Sequence, residues 1–141
     1  MMTDRDKPYE RLKAWHAAND LAKAVFRVSA EWPMEHQEVL GDEVRTSARK
    51  ACGALEVGAI LGDPAEFLEQ TIEACGKLGR LWSTLILARD ENLVSRKDYG
   101  ELEALRDHAT RLTWGLRTHL RRKVEKRRTA DEGRKGKKKL E

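Results

Sequence analysis

Apolar residues recur along this chain at steps of three and four. Leu12, Trp15, Ala18 or Ala22, Val25 and Val28 form the first such series and predict a helix over residues 9–31. Pro8 suits its first turn, with Asp6 close enough to cap it. Trp32-Pro33 ends it, because proline disfavours helical geometry in the residue before. A second series, Val39 or Leu40, Val44, Ala48, Ala51 or Cys52, Leu55 and Ala59, predicts a helix opening around residues 35–38 and running to Leu61. Its middle is small. Gly53 and Gly58 each cost about 1 kcal/mol against alanine in a helix interior, so their presence implies tight packing on a neighbour, within the chain or in another subunit.

Gly62-Asp63-Pro64-Ala65-Glu66 is the strongest punctuation in the chain. Gly62 can close one helix in a left-handed conformation, Asp63 can cap the next with Pro64 at its first position, and Glu66 completes a capping box. Phe67, Leu68, Ile72, Cys75, Leu78, Leu81, Trp82 and Leu85 mark a third helix ending near residues 90–92. After Leu93-Val94, Ser95-Arg96-Lys97-Asp98 is a second capping box. It opens a fourth helix marked by Tyr99, Leu102, Leu105, Ala109, Leu112, Leu116 and Leu120. Four amphipathic helices with short connections predict an all-α, antiparallel up-down-up-down bundle, in which the end of the fourth helix lies beside the Gly62-Asp63 turn. The fourth helix is expected to reach about Arg128, roughly 50 Å at 1.5 Å per residue, and to project past the shorter first helix. Residues 1–128 then form the bundle, and 129–141, where helical periodicity is lost, a basic disordered tail.

Charge sharpens this picture. The net +4 of the 141 residues conceals −4 over residues 1–116 and +9 over residues 117–139, where 12 Lys/Arg stand against 3 Asp/Glu. Segregated charge of this kind points to a polyanion or an electrostatic tether, with a purely solubilising tail as the plain alternative. The candidate nucleic-acid-binding residues are Arg117, Arg121, Arg122, Lys123, Lys126, Arg127 and Arg128. They spread over more than one helical face as a charged sleeve, suited to sequence-blind phosphate contact. No aromatic residue falls within the sleeve, so base-specific stacking is not implied, and an unstacked base on Trp32 or Trp114 has no support from the sequence. Trp15, Trp82 and Trp114 are read as core, with a subunit interface as the alternative for Trp114.

Chemistry is hard to assemble. His108 and His119 share a helical face but stand about 16 Å apart, too far for one metal. Glu-x-x-His, His-Glu-x-x-His, Cys-x-x-Cys, the phosphate loop and the nucleophile elbow are all absent. Cys52 and Cys75 read as free core thiols. The expectation is a protein without catalytic residues, metal or cofactor. No stretch has the roughly 20 apolar residues of a membrane span, and with no leader-like amino terminus the chain reads as cytoplasmic and not membrane-bound.

Tyr9-Glu10-Arg11-Leu12-Lys13-Ala14-Trp15 with Ala18 and Leu21, Trp32-Pro33, Val44-Arg45, Gly58, Glu66-Phe67, Ala74 and Gly76 together resemble the four-helix-bundle proteins encoded by intervening sequences in bacterial 23S ribosomal RNA genes. The resemblance covers about residues 9–120. Ala54, Val57, Lys77 and Arg80 depart from the group's usual Asn, Glu, Ser and Glu. The group is in turn similar to the accessory variability proteins of diversity-generating retroelements, which bind nucleic acid and a reverse transcriptase. The resemblance implies a non-enzymatic homopentameric bundle with an RNA or DNA partner. The alternative is an interaction adaptor for a protein such as a reverse transcriptase, and a small-molecule site between the helices is a third reading.

Overall fold

The computed structural model describes residues 8–140, with side chains as far as residue 137. Every regular element among them is helical. A 3-10 turn, Pro8–Arg11, precedes α1, Lys13–Ser29. A single turn, α2, Met34–His36, passes through a π-helical segment, Gln37–Gly41, into α3, Asp42–Leu61. Then follow α4, Pro64–Asp90, and α5, Arg96–Leu140. The expected cap at Asp6 lies outside the described residues.

The first helix begins later and ends earlier than its apolar spacing predicts. Leu12 is extended at φ −91° and ψ 112° and divides the 3-10 turn from α1. The turn folds back over α1: the Tyr9 ring packs 5.0 Å from Trp15, and His16 Nε2 meets the Glu10 carbonyl at 2.6 Å. At the other end, Gln37 Nε2 donates to the carbonyls of Ser29 and Trp32, each at 2.8 Å, satisfying groups that a helix end leaves open. Arg45 locks the corner by donating to Ser29 Oγ at 2.9 Å, Gln37 Oε1 at 3.0 Å and Asp42 Oδ1 at 3.0 Å. A Cβ at Gly41 would lie 2.9 Å from the Arg45 guanidinium, so the glycine leaves room for it against the backbone.

The two central caps form as their residues dictate. Gly62 has φ +75°, Asp63 accepts the Glu66 N–H at 3.2 Å, and Ser95 Oγ accepts the Asp98 N–H at 3.1 Å. The small residues of α3 divide into two kinds. A Cβ on Gly58 would lie 2.6 Å from Phe67 Cδ1, so α3 and α4 approach closely there. A Cβ on Gly53 would meet nothing within 4 Å, so of the two glycines only Gly58 is tightly packed within the chain.

α3 packs on α1 and α4, and α5 on the same two helices. Side-chain contacts join early turns of one helix to late turns of its neighbour. Trp15 Nε1 donates to Glu56 at 2.9 Å, Arg27 Nη2 to Glu101 at 2.7 Å, and Arg80 Nε to Glu43 at 2.6 Å. Between the helices lies one core, in which Leu21, Leu55, Leu81, Leu85 and Leu102 are almost wholly buried. Each such leucine contributes about 1.5–3 kcal/mol by its removal from water.

Candidate functional site

α5 has two regimes. From Leu102 through Ala109 and Thr113 to Leu120 one side of it is buried, and Val124 is half-buried. From Glu125 to Lys137 every side chain is exposed. The helix nevertheless continues to Leu140, twelve residues beyond the expected end at Arg128. No proline interrupts it after Pro64. Thr129 Oγ1 donates to the Glu125 carbonyl at 2.9 Å, and Arg134 lies 3.8 Å from Asp131 one turn away. Gly133 and Gly136 weaken this stretch without breaking it. At 1.5 Å per residue the 45 residues of α5 span about 68 Å.

The seven basic residues singled out from the sequence are not equivalent. Arg117 is half-buried, its guanidinium carbon 4.3 Å from the Trp114 ring centroid, and its Nε is buried without a hydrogen-bond partner among the described residues. Arg127 is exposed but paired, at 2.7 Å from Asp63 Oδ1. This contact sets α5 at Arg127 beside the turn between α3 and α4, as the chain order predicts. Asp63 thus caps α4 with one carboxylate oxygen and holds Arg127 with the other. The Arg127 hydrogen bond, with help from the Glu66 N–H, keeps the Asp63 carboxyl below its ordinary pKa. Arg121, Arg122, Lys123, Lys126 and Arg128 are exposed, and none of them makes an ion pair with a described residue.

At 100° per residue, Arg106, Thr110, Trp114, Arg117, Arg121 and Arg128 fall on one flank of α5. A row of arginines thus runs from Arg106 into the sleeve, with the Trp114 indole between them. Its steps of three, four and seven residues are visible in the sequence, where Arg106 stands apart from the run of charge that starts at Arg117. Arg106 stacks 4.8 Å from the Trp82 ring, which is 5.2 Å from Tyr99, and Arg89 covers Tyr99 at 4.9 Å. The α4/α5 seam is thus faced by planar cations on aromatic rings, each contact favourable by about 0.5–2 kcal/mol.

Trp82 is buried as expected, whereas Trp114 is 48% exposed, which corrects its reading as core. It lies at the edge of the stripe while Thr113 turns inward. Trp15 is only partly covered and Trp32 is buried. Cys52 is buried, and burial pushes its thiol up to about 11, so it is protonated and inert at neutral pH. Cys75 is half-buried, and burial raises its thiol pKa despite the opposing pull of Arg117. Among the described residues no three His, Cys, Asp or Glu side chains are grouped to hold a metal ion. None of the described helices is long and apolar enough to cross a membrane.

The family model described as 23S rRNA-intervening sequence protein matches residues 10–115, well over half of the chain. The chain belongs to that family. No curated protein matches it. The stretch shared with the 23S rRNA-intervening sequence proteins takes in the 3-10 turn from Glu10 through most of the packed part of α5, including Arg106 and Trp114. It stops two residues before Arg117, so all seven basic residues lie beyond it.

Proposed function

We propose that this 23S rRNA-intervening sequence protein is a non-catalytic, antiparallel up-down-up-down bundle that self-associates and binds RNA or DNA through the basic end of α5. One observation carries the reading. Arg121, Arg122, Lys123, Lys126 and Arg128 are exposed along the stretch where α5 leaves the core, on a body whose remaining charge is negative. Cations so placed keep their water and counterions until a phosphate displaces them, which makes binding tight at low salt and indifferent to sequence. Fluorescence anisotropy with labelled RNA and DNA tests it. Binding at low salt that weakens steeply as salt rises supports the reading, and no binding at low salt ends it.

Self-association, as a homopentamer on the family resemblance, draws support from apolar side chains turned outward on the α2–α3 rod. Met34, Val39, Ile60 and Leu61 are 81, 67, 59 and 50% exposed. The same side chains favour a second reading, an adaptor that docks another protein. The solution mass decides between them: a mass about five times 16.1 kDa supports the pentamer, and a stable monomer favours the adaptor.

A further inference from the structure

Between α4 and α5 lies a cavity of about 230 Å³, lined by Cys75, Leu78 and Gly79 on one side and by Arg106, Thr110 and Trp114 on the other. We propose that this groove takes an unstacked base of a single-stranded nucleic acid against Trp114, with the strand's phosphates following Arg106, Arg117, Arg121 and Arg128. The proposal rests on the nucleic-acid reading above and gives it a strand class and a second contact.

Three observations meet at this place. Trp114 offers a half-exposed indole at the mouth of a cavity, in a protein whose other described tryptophans are more covered. Arginines stand on both sides of it along one helical flank, Arg106 two turns before and Arg117 one turn after, and the row runs on into the exposed basic end. Gly79, itself exposed, adds no side chain to the α4 side of the cavity, and a Cβ there would meet nothing within 4 Å. Stacking platforms joined to a cationic track are how single strands are held without sequence preference. A duplex keeps its bases stacked and can use only the cations.

The test compares a labelled single-stranded uridine 20-mer with a labelled duplex RNA of equal length, using wild type, Trp114→Ala and Gly79→Leu. Circular dichroism checks that both variants are folded. Trp114→Ala truncates a half-exposed ring, and Gly79→Leu adds a side chain to the cavity's lining while replacing a poor helix former. Expected is about tenfold weaker single-strand binding by either variant, an unchanged salt slope, and duplex binding within about twofold of wild type. Single-strand binding by both variants equal to wild type overturns the groove and leaves the basic end standing. Equal loss on single strand and duplex also overturns it. Wild type that binds neither probe at low salt overturns both readings.

Discussion

The two seams of α4 are made differently. Against α3, the helix closes on backbone: Gly58 lets Phe67 come within what would be 2.6 Å of a Cβ, and the approach excludes water by shape. Against α5, the same helix leaves Gly79 over open space and covers its aromatic rings with arginines from both helices. Glycine therefore has opposite meanings on the two sides. At Gly58 it allows contact, and at Gly79 it preserves a gap. A seam closed by shape has nothing further to bind, whereas one finished with planar cations and a half-exposed indole presents chemistry to solvent.

Substitutions can break or sharpen this contrast. Leu55→Ala removes an almost wholly buried side chain of α3 and should cost about 2–5 kcal/mol in urea unfolding. Gly58→Leu should destabilise by about 1–3 kcal/mol, because the new side chain meets Phe67 and Gln70 in the closed seam. Gly79→Ala should act in the other direction, stabilising by up to about 1 kcal/mol, since it removes backbone freedom and meets no neighbour. If both glycine substitutions destabilise alike, the distinction between the seams fails.

The smallest effect concerns the tether at the bundle's end. Arg127 holds the Asp63 carboxyl below its ordinary pKa, and both side chains are open to water. A depressed carboxyl pKa means that the contact is complete above the ordinary value, about 4, and is lost as pH falls through the folded value. Amide exchange near residue 127, corrected for its intrinsic pH dependence, should be constant from pH 8 to 5 and rise only below about pH 4. Asp63→Asn should remove that acid step.

The core was legible in the sequence because it rests on period and punctuation. The steps of three and four placed α3, α4 and the packed part of α5, and Gly62-Asp63-Pro64 fixed the connection between α3 and α4. What stayed hidden depended on partners distant in sequence. Trp114 has the composition of a core residue and a position at the stripe's edge, and only the placement of α4 decides its exposure. Gly53 and Gly58 look alike until Phe67 is placed beside one of them. Arg127 reads as one more cation of the sleeve, although Asp63, 64 residues away, engages it. The helix beyond Arg128 was missed because its apolar period ends there, while its charged side chains still suit a solvated helix.

The most direct measurement is the salt dependence of single-stranded RNA binding by wild type and by a variant with Arg121, Arg122, Lys123, Lys126 and Arg128 all replaced by glutamine. These five side chains are exposed, so the packed part of α5, including Leu120, is left intact. For wild type the logarithm of affinity should fall linearly with the logarithm of salt, with a slope of about −0.7 for each phosphate engaged. The variant should bind far more weakly at low salt, with a slope nearer zero by about 2–3.5 units. Equal affinity and equal slope in a folded variant would contradict the assignment of nucleic-acid binding to this end of the protein.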